Sequence, residues 1–307
     1  MKLKGFILPK FFMERDNMRI TKRLYSYYLI LPALLLYVVF YVLPTVIGLF
    51  YSFTDWRLDT EEIHFNGLYN FERIFTDETL LLAIKNTIIF AIVTVIGKNA
   101  LAILLAVALN MNLKTKNWLR AIFYTPSIIS VLVISLLFIP MLRSEGLINQ
   151  ILDAVGLGVL KQAWLTDPSV IMLTISGLAI WQFTGFQMAI YLAGLQSISK
   201  DYYEAARIDG AGGWKSFLHI TLPLLWPAIN INVMLTLIGG LKVFSEVFVL
   251  TGGGPGNSSQ VIGTMILKAF GEGNWGLGTA VNTVLFIAVT LISIPLLMYM
   301  RRKEVQE

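Results

Sequence analysis

Six apolar runs, each near or above the length that crosses a bilayer, divide the chain and leave it few possible folds. They cover about 27–50, 81–109, 121–141, 168–195, 222–250 and 276–300. A helix rises about 1.5 Å per residue, so about 20 apolar residues match the hydrocarbon core of a membrane. Inside lipid every backbone polar group must find its partner within the segment, which makes helix the natural spanning form for such runs. The composition agrees, with 56% of the 307 residues hydrophobic and 14% charged. An all-α, polytopic membrane protein with six transmembrane helices follows. The chain has no cysteine, which excludes disulfides and thiolate metal sites, and its two histidines, His64 and His219, do not suggest a metal centre.

The net charge of +5 is read by position rather than as a sign of a nucleic-acid partner, because Lys and Arg collect on the cytoplasmic side of membrane proteins. Residues 1–26 carry Lys2, Lys4, Lys10, Arg15, Arg19, Lys22 and Arg23 against Glu14 and Asp16. Lys114, Lys116 and Arg120 follow the second run, Lys200, Arg207 and Lys215 the fourth, and Arg301, Arg302 and Lys303 the last. The alternate connections hold only Arg57, Arg73, Lys85, Arg143, Lys161 and Lys268, and 51–80 is acidic. Both termini are therefore expected in the cytoplasm, with tails at 1–26 and 301–307 and a transmembrane domain at 27–300. The first run has no small-residue cleavage site after it and reads as an uncleaved span kinked at Pro32 and Pro44.

Two connections should hold structure of their own. Leu147, Ile148, Ile151, Leu152 and Val155 recur at helical spacing, which predicts a short amphipathic helix at the outer surface ending near Gly156. Residues 251–259, TGGGPGNSS, forbid regular helix, and the apolar 261–270 that follows is too short to span and reads as a re-entrant or surface helix.

The most specific stretch is 195–227, polar and charged between two apolar runs. Residues 202–209 favour helix, Gly210, Gly212 and Gly213 supply a bend, and 214–220 can form a second short helix before Pro223. The order Glu204, Ala205, Ala206, three residues, Gly210, nine residues, Ile220, Thr221, Leu222, Pro223 resembles the EAA loop of ATP-binding-cassette importer permeases, at every fixed position. The resemblance implies the type I importer permease fold. It also implies that 195–221 is a cytoplasmic coupling loop, in which Glu204, Ala205, Ala206, Asp209, Gly210, Ala211 and Gly212 transmit force and do no covalent chemistry.

The sequence holds no nucleotide-binding loop, nucleophile elbow or zinc motif. A permease of this kind binds no cofactor itself and is no enzyme; the resemblance implies two ATPase subunits that hold ATP and Mg. It further implies a second homologous permease subunit, forming a heterodimer, and an extracytoplasmic solute-binding protein, all at the plasma membrane of a prokaryote and in contact with its lipid. The stretches 180–212 and 242–255 are similar to the carbohydrate group of these importers, the maltose and glycerol-3-phosphate type, and 51–56 and 66–75 to its first external loop. Where an Asp often follows the Phe of the later motif, Ser245 follows Phe244 here, with Glu246 next.

By that resemblance, Gln182, Phe183 and Phe186 on the fourth span and Thr236, Gly239, Gly240 and Val243 on the fifth line the substrate path. Aromatic faces stack on sugar rings, and amides or hydroxyls bond sugar hydroxyls. Lys98, beside Asn99, lies inside the second run, where an ionisable group is a functional candidate. Lys242 and Glu246 are four residues apart and are expected to pair on one helical face. Gly97, Gly177, Gly185, Gly194 and Gly239 are expected to admit neighbouring helices. The expected function is import of a sugar, an oligosaccharide, by alternating access. Glycerol-3-phosphate or another charged solute is the alternative cargo, and an ion-coupled transporter the alternative class. The latter would need a relay of acids in the spans, where Glu246 alone is found.

Overall fold

The computed structural model describes residues 30–302 except 60, 112 and 113. The expected N-terminal tail and Lys303 lie outside the described residues. Residues 30–50 form one unit and the rest another, and each is described by itself. The first unit is α1 (Ile30–Tyr51), with a π turn at Val38–Val42. Pro44 has no N–H to give to Phe40, and just before it the Leu43 N–H reaches back to the Val38 carbonyl.

Among the described residues, the regular structure of the second unit is helical, apart from one isolated bridge between Thr54 and Phe65. Its elements are α2 (Tyr69–Thr76), α3 (Glu78–Asn110), α4 (Lys116–Ile128), α5 (Val131–Met141) and α6 (Leu147–Ala154). They are followed by α7 (Ile171–Ser197), α8 (Lys200–Ile208), α9 (Gly213–Leu224) and α10 (Trp226–Leu241). The last are α11 (Ser245–Thr251), α12 (Ile262–Gly271) and α13 (Trp275–Arg301). Among the described residues, α1, α3, α7 and α13 are long and apolar enough to cross a membrane. The pairs α4–α5 and α9–α10 make six if each bent pair is one span.

The axis of this unit is α3, capped by Asp77, whose carboxylate accepts from the Thr79 and Leu80 N–H groups. Helices α7 and α10 pack along it. Small residues allow this. A Cβ on Gly240 would stand 2.8 Å from Ala91 Cα, and one on Gly97 would collide with Ile180. Gly194 meets Ala228 and Leu225 in the same way. Gly177 and Gly239, expected to do likewise, have open space where a Cβ would be. Gly240 takes the role expected of Gly239.

Two expected spans are broken. Instead of one helix over 121–141, α4 and α5 meet at 94°. Gly185 of α7 lies against the Phe123 carbonyl so closely that no Cβ fits, and Ile129 and Ser130 are extended, with ψ of 138° and 137°. The Ile129 carbonyl, freed from helical bonding, accepts a 3.0 Å hydrogen bond from Gln182 Nε2. The run 222–250 is interrupted twice. It bends by 66° where Pro227 enters the first turn of α10. It breaks again at Phe244, with φ −148° and ψ −60°, before α11 begins.

The shorter expected elements appear as α6, followed by Gly156 at φ 77°, and as α12. The turn before α12 is tied to α3. Asn86 Nδ2 donates to the Ser258 and Gln260 carbonyls, and Thr87 Oγ1 accepts from the Ile262 N–H at 3.0 Å.

Candidate functional site

Two constellations hold the predicted residues. The first is the projecting unit α8–Gly210–α9. Ser199 caps α8 by accepting from the Asp201 N–H. The other end closes in a Schellman motif: the Ala211 N–H donates to the Ala206 carbonyl at 2.8 Å and the Gly210 N–H to the Arg207 carbonyl at 3.1 Å. That closure needs a left-handed residue, and Gly210 has φ 75°. Tyr203 and Thr221 join their hydroxyls at 3.0 Å and tie α8 to the far end of α9. Glu204, Ala205, Asp209, Gly210 and Gly212 are exposed, while Ala206 is buried. Beside them Ile208 is 87% and Trp214 72% exposed. A rigid corner therefore presents an apolar surface at the tip of a polar loop, the chemistry of a docking face.

The second constellation lies where α3, α7, α10 and α11 meet. Asn99 is its hub. It accepts from Tyr191 Oη at 2.6 Å and donates to Thr236 Oγ1 at 3.0 Å and to the Val95 carbonyl. Thr236 in turn donates to the Asn232 carbonyl, and Asn232 Nδ2 donates to the Gln187 carbonyl. All five residues are buried, and the network locks the three long helices in one register. Lys98 is 8% exposed, and its Nζ lies 4.8 Å from the centre of the Phe183 ring. A cation over an aromatic face is a stable way to hold a buried lysine.

A cavity of about 480 Å³ opens at the α10–α11 break, and Gly239, Lys242, Val243, Phe244 and Glu246 are in its wall. The structure thus divides the predicted substrate set. Gly239 and Val243 face this cavity together with Lys242 and Glu246. Gln182, Thr236 and Gly240 are buried among protein partners, as described above, and Phe186 is exposed on α7. Lys242 and Glu246 do not pair with each other: no ion pair joins them among the described residues. The expected one-turn spacing holds only within a helix, and α10 stops at Leu241.

A sequence profile of the binding-protein-dependent transport system inner membrane components matches residues 98–302. The chain belongs to this family. Similar proteins include the probable ABC transporter permease protein YurN of Bacillus subtilis, 36% identical over 87% of this chain and 93% of that protein. Another is the multiple sugar-binding transport system permease protein MsmF of Streptococcus mutans, 35% identical over 87% of this chain and 91% of that one. Among solved structures, a chain of a bacterial ABC transporter involved in import of the acidic polysaccharide alginate superposes with a TM-score of 0.80. It is 27% identical and covers 94% of the permease described here and 99% of its own length.

In this permease, sequence reasoning missed Tyr191, Asn232 and Gln187 in the buried network. Polar side chains at 187 and 191 of the fourth apolar run and at 232 of the fifth were the available signal. It also missed Phe244, whose ring stacks on Phe248 at 5.2 Å.

Proposed function

We propose that the permease carries an oligosaccharide into the cytoplasm of a prokaryote, as one of two homologous membrane subunits driven by two ATPase subunits that hold ATP and Mg. The observation that carries this reading is the α8–Gly210–α9 corner, which offers Ile208 and Trp214 to a partner on a rigid mount. In this reading the corner, both termini and the tails at 1–26 and 301–307 lie in the cytoplasm, and 27–300 crosses the membrane. The turn at 252–260 then lies outside, where a solute-binding protein delivers substrate. Glu204, Ala205, Ala206, Asp209, Gly210, Ala211 and Gly212 pass the closure of the ATPases on ATP binding to the membrane helices, and hydrolysis resets them. The family's dependence on a binding protein, the sugar named for MsmF and the polysaccharide named for the solved relative support this cargo. So does a cavity with an aromatic ring and polar groups in its wall.

The test is to express the chain with its chromosomal neighbours, purify it by a tag in mild detergent, identify its companions by mass, and measure ATP-dependent uptake of labelled oligosaccharides after reconstitution. A second permease and an ATPase should accompany it, and uptake should require ATP and the binding protein. A chain that purifies alone and transports under an ion gradient without ATP would overturn the proposal.

A further inference from the structure

We infer that the permease holds an anionic phospholipid, with its phosphate on the corner between α3 and α4 and an acyl chain in the groove between α3, α4 and α7. In the orientation proposed above this is a lipid of the cytoplasmic leaflet. The site uses none of the residues assigned to coupling or to the substrate path, and it does not depend on what the permease carries.

Charge places the headgroup. Residues 110–120 hold Lys114, Lys116 and Arg120 and no acid, and no ion pair reaches any of the three among the described residues. Lys114 is exposed, and Lys116 and Arg120 are half-buried. Arg120 is held in place, since its Nη2 donates to the Leu109 carbonyl at the end of α3 at 2.9 Å. A guanidinium has further donors to offer a phosphate. Trp118 is 77% exposed beside these cations, where an indole at headgroup level anchors to the interface.

Shape places the chain. The groove has a volume of about 500 Å³ and runs along α7 from Gly177 to Gly185, about 12 Å of helix. Leu105 of α3 and Ile122 and Phe123 of α4 stand in its wall. Thr184 turns its hydroxyl back to the Ile180 carbonyl at 2.6 Å, and Gly177 leaves open space where a side chain would project. Such a wall suits an alkyl chain and not a sugar. The two halves adjoin. Lys116, Arg120 and Phe123 follow one another at turns of α4, so the cations share a face with the groove wall. The Leu109 carbonyl that holds Arg120 is one turn of α3 beyond Leu105, about 6 Å.

A helix of a homologous permease is the rival occupant. Lys and Arg collect at the cytoplasmic ends of spans, so such a helix would set its own cations against this corner. A lipid phosphate brings the opposite charge.

The assay uses the tagged full chain, purified in mild detergent with whatever partners accompany it. It is equilibrated with phosphatidylglycerol and phosphatidylcholine of equal chain length, and retained lipid is counted by native mass spectrometry. The wild type should retain phosphatidylglycerol in preference. Lys114→Gln and Lys116→Gln, which leave the Arg120 contact intact, should each lower that preference about fivefold. Gly177→Leu, which fills the groove, should lower retention of both lipids alike. A photoreactive group on the acyl chain should label residues 101–105 and 177–185. Equal retention of the two lipids, or a preference that survives both lysine changes, would overturn the inference. Label confined to other segments would overturn it as well, and a cross-link from this groove to the second permease would give the site to the rival helix. None of these outcomes bears on the cargo or on the use of ATP.

Discussion

Replacing Gly210 by alanine isolates the backbone geometry of the α8–α9 corner from every other effect. Gly210 has φ 75°, and no atom lies within 4 Å of the position a Cβ would take, so the methyl meets no steric clash with neighbours. What remains is the cost of a left-handed L-residue, about 1–2 kcal/mol. Both hydrogen bonds of the closure, Ala211 N–H to Ala206 and Gly210 N–H to Arg207, are still available to alanine, so the corner survives as one of two competing conformations. A shift of that size lowers the population of the native corner roughly 5- to 30-fold relative to its alternatives. Where the native corner is no longer the dominant form, affinity for the proposed ATPase partner falls in proportion. Gly210→Asn should lose less, since Asn tolerates this region. Gly210→Pro should lose more, since its φ is fixed near −65° and its donor is gone. Gly212→Ala is the matched control: it is also exposed and unobstructed, but with φ −70°, and should behave like wild type. Binding of the purified ATPase to each variant, with hydrogen exchange at Ala211 as the local readout, measures both consequences. Equal behaviour of Gly210→Ala and Gly212→Ala would refute the claim that a left-handed residue holds the docking face.

Two further predictions concern the helix packing. Tyr191→Phe removes the donor to Asn99 Oδ1 and should cost about 1 kcal/mol, read as a lower unfolding midpoint in detergent; an unchanged midpoint would mean that the Asn99 carbonyl finds another donor. Gly185→Ala drives a methyl into the backbone carbonyl of Phe123 and should destabilise by about 1–3 kcal/mol, whereas Gly177→Ala on the same helix enters open space and should not, which a paired thermal scan of the two variants checks directly.

Much of the helix layout was legible in the sequence, for reasons that differ between elements. Helices α3, α7 and α13 fall within a few residues of the expected runs because a long apolar stretch has no other stable form in lipid. The loop motif was legible because its constraints are local: a capped helix, a residue at positive φ and a second helix are all set by neighbours a few positions away. The amphipathic α6 was legible for the same reason, its apolar residues repeating at helical spacing.

The breaks at 129–130 and 242–244 were not legible, since the first lies inside an apolar run and the second inside a run that stays long enough to span despite Lys242 and Glu246. The first depends on Gly185 and Gln182, more than fifty residues along the chain, and only the packed structure brings them to the Phe123 and Ile129 carbonyls. The site residues divide in the same way. The sequence by itself determined which polar groups would enter the membrane: Lys98, Asn99, Gln182, Thr236, Lys242 and Glu246 all stand in apolar runs. Tertiary structure alone decided their partners, giving Gln182 to a carbonyl, Asn99 to Tyr191 and Thr236, and Lys98 to the face of Phe183, with Lys242 and Glu246 left facing a cavity. The physical reason is that the solvation cost of a polar group depends on its own chemistry, whereas the group that offsets it is supplied by whichever helix packs against it.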